Sequence, residues 1–107
     1  MRNGTLLAAL DLGSNSFRLE IGRHEKGLIE RVEYLKETVR QGAGLDENNV
    51  LSQEAMQHGW ACLERFNERL AGFRKEQIRA IGTQTLRQAV NRDVFVARAL
   101  EILGVPV

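Results

Sequence analysis

The spacing of apolar residues changes along the 107-residue chain, first near residue 50, and these changes limit the folds open to it. Before the first change, residues 5–10 form a short, mostly apolar run ending at Asp11. Phe17, Leu19 and Ile21 then alternate with Ser16, Arg18, Glu20 and Gly22. Successive side chains of a strand point to opposite faces, so the run predicts a buried strand and the alternation a half-buried one. Between them, Asp11-Leu12-Gly13-Ser14-Asn15 is dense in residues that tolerate positive φ or bond their own backbone, which favours a tight hairpin reversal. His24-Glu25-Lys26-Gly27 marks a second turn. Residues 28–40 carry enough β-branched, aromatic and alternating side chains for a third strand antiparallel to the second.

After the aperiodic stretch 41–49, a helix is expected over residues 52–71. Ser52 serves as its N-cap and Glu54 adds favourable first-turn charge, while Met56, Trp60, Leu63, Phe66 and Leu70 recur at steps of three and four until Gly72. Residues 78–83 read as a fourth strand, and the long helix before it permits a crossover that lays it parallel to the first. Residues 85–90 suit a short helix. Asn91 is expected to cap another that runs to about Leu103 and stops at Gly104, with Val105-Pro106-Val107 beginning a further strand. The predicted class is α/β, a mixed sheet in the order β-β-β-α-β-α-(β).

Fifteen Lys and Arg against 14 Asp and Glu give a net charge of +1, without the positive excess that phosphate-backbone attraction requires. No specific nucleic-acid partner is expected. No apolar run reaches the roughly 18 residues of a membrane span, and the N-terminal apolar stretch is too short for a secretory signal, so a cytoplasmic protein without membrane association is expected. Cys62 is the single cysteine and, with only His24 and His58, gives no zinc-ligand spacing. His58 and Cys62 read as packing or solvated helix positions, and Trp60 and Phe66 as core.

Chemistry gathers at the first turn. In Asp11-x-Gly13-Ser14-Asn15-Ser16 the glycine lets the backbone approach a ligand, and successive amides with two hydroxyls suit a phosphate. Asp11, at the strand end, is placed to hold a hydrated divalent cation that offsets phosphate charge. A hairpin turn without a ligand has the same composition, so the turn alone leaves both readings open.

Three separated blocks then occur in one order: A-x-D-L-G-S-N-S-F-R-L at 9–19, V-R-Q-G-A-G-L at 39–45 and G-T-Q-T-L-R-Q-A at 82–89. Together with L-S-Q-E-A-M at 51–56 and the Asn91 and Phe95 pair, they resemble the N-terminal part of the exopolyphosphatase and guanosine pentaphosphate phosphohydrolase (Ppx/GppA) family. The resemblance implies a ribonuclease-H-like, actin-like domain, whose strand and helix order agrees with the one read above. It implies a phosphate loop of Gly13, Ser14, Asn15 and Ser16, with Asp11 associated with a divalent metal, magnesium being favoured by hard oxygen ligands. It further implies that Arg87 faces the substrate phosphates, a role its guanidinium fork suits. Gly42 and Gly44 are expected to shape a loop, and Arg18 and Arg40 to be solvated or paired.

A second phosphate loop of the D-x-G-G-G-S type and a glutamate acting as general base are family features with no match in 1–107, and both are expected beyond Val107. The chain thus reads as the N-terminal part of a first actin-like domain, inactive alone, with no catalytic residue of its own. The implied activity of the full-length parent is release of orthophosphate from the end of inorganic polyphosphate or from guanosine pentaphosphate, and a homodimer is the expected form of that parent. Two other readings stay open: a sugar-kinase or ATPase relative of the same superfamily, and a non-catalytic phosphate-binding or assembly module.

Overall fold

The computed structural model describes residues 4–107. Strands β1 (Leu6–Leu12), β2 (Ser16–Glu25) and β3 (Leu28–Thr38) form an antiparallel meander. Helix α1 (Gln53–Glu68) follows, then β4 (Ile78–Gly82), a short α2 (Gln84–Gln88) and α3 (Arg92–Leu103). The sheet order is β3-β2-β1-β4, with β4 parallel to β1 as expected from the crossover.

Burial explains why these segments pair as they do. Ala8, Leu10 and Leu12 of β1 and Phe17, Leu19 and Ile21 of β2 all point to one face, each at most 4% exposed. Met56, Leu63 and Phe66 of α1 and Leu70 just after it join that core, as do Leu86 of α2 and Phe95, Ala99 and Leu103 of α3. The reading of β1 as a strand buried on both sides needs correction, because Ala9 is exposed and Leu6, Leu7 and Asp11 are only half-buried. β1 also runs two residues past the expected end, since Asp11 and Leu12 pair with Arg18 and Phe17 on one side and with Ile81 and Gly82 on the other. The second turn contracts to Lys26 and Gly27, whose φ values of 51° and 79° are the two positive angles that match a hairpin's twist.

Ser52 caps α1 as predicted, its side chain accepting from the Ala55 amide at 3.1 Å. The helix ends at Glu68 rather than Ala71, with the remaining residues in turns up to Gly72 at φ +87°. Trp60 is half-buried rather than core: it stacks on Phe95 of α3 at 5.8 Å, and its indole N–H donates to the Phe95 carbonyl at 3.1 Å. A buried indole must satisfy its N–H, so this arrangement keeps the ring at the α1–α3 seam.

Three further expectations are revised. Residues 41–44 form a short 3-10 helix rather than an irregular loop, and Leu45 and Leu51 make an isolated antiparallel bridge across the rest of the stretch. Asn91 occupies the N-cap position of α3 but makes no side-chain cap bond, because its amide is engaged by Leu51. Val105, Pro106 and Val107 form no strand, although Val105 is buried at 5% exposure. Gly104 does end α3, in the left-handed conformation.

Candidate functional site

The pairing of β1 with both neighbours brings the ends of β1 and β4 together. The reversal after Leu12 and the β4–α2 junction therefore lie side by side. Gly13 makes the reversal tight: its amide donates to the Ser16 carbonyl at 3.1 Å, and a Cβ at this position would lie 2.8 Å from that same oxygen. A side chain there would force the turn open.

The turn is also held from behind. The Ser14 carbonyl accepts from the Gly42 amide at 2.7 Å, and the Asn15 carbonyl accepts from the Val39 and Arg40 amides, each at 2.9 Å. Arg40 adopts the left-handed conformation at φ 52°, uncommon for a non-glycine residue, as the chain turns into the 3-10 helix. These bonds engage the two carbonyls that would repel an anion. What the turn offers to solvent is the Ser14 hydroxyl and the Asn15 carboxamide, both on exposed residues.

Ser16 is placed differently. It is only 4% exposed, and its hydroxyl lies 3.5 Å from Asn15 Nδ2. Among the four predicted phosphate-loop residues, Ser16 and Gly13 thus build the turn, whereas Ser14 and Asn15 present polar groups to the outside.

Asp11 lies in the last part of β1, opposite Arg18. Arg18 Nη1 is 3.7 Å from Asp11 Oδ2, a loose, partly exposed pair. The other carboxylate oxygen, Oδ1, is buried without a hydrogen-bond partner. An ionised oxygen in that state is costly unless a cation or donor meets it, so the residue fits a divalent cation. Among the described residues there is no cluster of three or more His, Cys, Asp or Glu side chains able to hold a metal. Asp11 would be such an ion's single carboxylate here, with water and phosphate oxygens supplying the rest, a mode magnesium favours.

Thr83 and Thr85, two residues the sequence reading passed over, connect β4 and α2 to this turn. Thr83 donates to the Leu12 carbonyl through its amide at 3.2 Å and its hydroxyl at 3.0 Å. Thr85, buried to 3% exposure, places its hydroxyl 2.6 Å from Ser14 Oγ. Their signal was the Thr-x-Thr spacing inside G-T-Q-T-L-R-Q-A, which sets two hydroxyls at a strand-to-helix junction. Gln41 was also missed. It is 1% exposed, donates to the Ala55 carbonyl at 2.6 Å, and so pins the 3-10 helix to α1.

Arg87 stands on α2 with its side chain exposed. Its amide donates to the Thr83 carbonyl at 3.2 Å, one helical turn back, so its Cα lies at the same sheet end as the Asp11–Ser16 turn. The guanidinium makes no hydrogen bond to that turn. Of the weaker candidates, Arg18 is paired with Asp11, and Arg40 is exposed in the strained turn.

Cys62 is buried in the core, and burial together with the nearby Glu37 carboxylate pushes its thiol up to about 12. It stays a protonated packing group at neutral pH. Glu37 itself is held below its ordinary value, first by the hydrogen bond from Arg65.

Comparison with known proteins places these features in a wider group. The model of the Ppx/GppA phosphatase family matches residues 20–107. A guanosine-5'-triphosphate,3'-diphosphate pyrophosphatase of Vibrio atlanticus (strain LGP32) is 54% identical over 99 residues, covering 92% of this chain and 20% of that protein. The protein of the same description from Vibrio vulnificus (strain YJ016) is 51% identical over 105 residues, covering 98% and 21%. The chain thus spans about a fifth of the length of these curated relatives. The crystal structure of an exopolyphosphatase-like protein superposes with a TM-score of 0.88 at 26% identity, over 98% of this chain and 32% of that one. The Aquifex aeolicus PPX-GPPA enzyme gives 0.84 at 24% identity, over 94% and 34%. The fold is therefore the actin-like one of these proteins.

Proposed function

The chain belongs to the Ppx/GppA phosphatase family, and on that premise we propose that it supplies one wall of a phosphohydrolase cleft. The full-length protein would release terminal orthophosphate from guanosine pentaphosphate or inorganic polyphosphate by attack of water. The observation that carries this reading is the convergence at one sheet end of the Asp11–Ser16 turn and the Gly82–Thr85 junction, joined through the 2.6 Å contact between Ser14 and Thr85. The names of the relatives, which describe a guanosine pentaphosphate-type substrate and an exopolyphosphatase-like protein, support the substrate class.

In this reading Ser14 donates to a phosphate oxygen, Asn15 adds a carboxamide donor, and Gly13 and Ser16 fix the turn that presents them. Arg87 contributes an exposed positive charge at the same sheet end, where it can clamp phosphate oxygens. Asp11, whose Oδ1 is otherwise unsatisfied, would hold a magnesium ion. Such an ion, when bound, neutralises phosphate charge and polarises the scissile phosphoryl group. The opposing wall and the general base come from residues outside 1–107, because phosphoryl transfer needs its charge clamped from more than one side.

A cytoplasmic setting and a homodimeric full-length form belong to the same reading. No helix among the described residues is long and apolar enough to cross a membrane. Sedimentation of the full-length protein tests the dimer. The function is tested by following product identity: the full-length protein should release orthophosphate, not pyrophosphate, from both substrates, and Asp11→Asn should raise the magnesium concentration needed for half-maximal rate. Release of pyrophosphate, or an unchanged magnesium requirement in a folded Asp11→Asn protein, would overturn this assignment.

A further inference from the structure

We infer that Thr85 is a positioning residue that fixes the polarity of the Ser14 hydroxyl, turning Ser14 into an outward donor for a phosphate oxygen. The inference rests on the phosphate-loop reading above and adds to it a residue that touches no substrate. Thr85 sits in the first turn of α2 and is 3% exposed, whereas Ser14 is exposed. Their hydroxyl oxygens are 2.6 Å apart across 71 positions of sequence, and either hydroxyl has the proton to bridge them.

A hydroxyl has one proton and two lone pairs. Once Thr85 donates into Ser14, the single Ser14 proton is free for the open side of the turn. Phosphate oxygens there accept only, so a hydroxyl that arrives with its proton outward matches them. The incoming bond also polarises Ser14 Oγ–H, strengthening its donation to an anion. The reverse polarity would direct the Ser14 proton inward and present a lone pair to the phosphate. Gly42 packs against both residues: its amide donates to the Ser14 carbonyl at 2.7 Å, and a Cβ at this position would lie 3.5 Å from both Ser14 Cβ and Thr85 Oγ1. Three segments distant in sequence thus meet at one hydroxyl.

The decisive substitution is Thr85→Val in the full-length protein, since valine keeps the shape and removes the hydroxyl. KM for inorganic polyphosphate should rise roughly 3- to 10-fold, the range of one hydrogen bond, with kcat nearly unchanged because the bond to phosphate is present in both ground and transition states. Thr85→Ser should restore the wild-type KM. In a Ser14→Ala background, Thr85→Val should add no further increase, because the two residues act as a unit. Thr85→Ala takes the place of Thr85→Val in every comparison if the valine variant does not fold. Wild-type KM in the hydroxyl-free variant, alongside a raised KM in Ser14→Ala, would overturn the inference while leaving the loop reading intact. A fall in kcat alone, or failure of Thr85→Ser to rescue, would equally show a packing role and overturn it. An unchanged KM in folded Ser14→Ala would overturn the loop reading itself.

Discussion

Asn91 holds Leu51 by both of that residue's backbone groups: its Oδ1 accepts from the Leu51 amide at 2.9 Å and its Nδ2 donates to the Leu51 carbonyl at 3.0 Å. The contact closes the 45–51 loop against the start of α3 and leaves Leu51 itself 1% exposed. Asn91→Ala removes both partners and leaves a part-buried donor and acceptor unsatisfied. The expected loss is about 1–3 kcal/mol in urea unfolding, and a loss under about 0.5 kcal/mol, typical of surface changes, would contradict it.

That contact also shows where local pattern stops being informative. Asn91 is a cap-forming residue placed just before an apolar helix, which is the signature of an N-cap, yet a partner 40 positions away claims its side chain. Thr85 and Ser14 repeat the case over 71 positions. Elements defined by period were legible: the meander, the Met56–Leu70 stripe, the parallel fourth strand and the Gly104 stop all follow from spacing and backbone chemistry. The polar turn at 11–16 was legible as a candidate, but its sorting into exposed Ser14 and buried Ser16 depends on the tertiary clamp from residues 39–42. Val105 is buried by packing rather than by pairing, which no short apolar run can distinguish from a strand.

Leu63 is fully buried between α1 and the sheet. Leu63→Ala should cost about 2–5 kcal/mol, the spread reflecting how far the surroundings collapse into the cavity. Chemical denaturation with an unchanged m-value checks it, and a cost below about 0.5 kcal/mol would mean this face is not the core.

Arg65 forks onto Glu37, with Nη2–Oε1 at 2.6 Å and Nε–Oε2 at 2.9 Å, tying α1 to β3. Because the folded-state value of Glu37 lies below its ordinary 4.5, the pair's contribution is present above that pH and lost as pH falls through the lower value. The difference in melting temperature between wild type and Glu37→Gln should therefore shrink as pH is lowered below 4.5. A difference independent of pH would contradict the assignment.

Cys62, with its thiol pushed up to about 12, should resist alkylation by iodoacetamide at pH 8 in the folded protein and react on unfolding in urea. Mass spectrometry reads the outcome, and rapid modification of the native state would contradict its place in the core.

Arg87 is the exposed charge nearest in sequence to the Thr83–Thr85 junction, and on the proposed function it compensates charge that develops on the transferred phosphoryl group. The most direct test is steady-state orthophosphate release from inorganic polyphosphate by the full-length protein carrying Arg87→Ala, with magnesium titrated and folding checked by circular dichroism. The account predicts a fall of roughly 10²–10³ in rate, the size of one electrostatic contribution at a transition state. Wild-type turnover in a folded Arg87→Ala protein would contradict it.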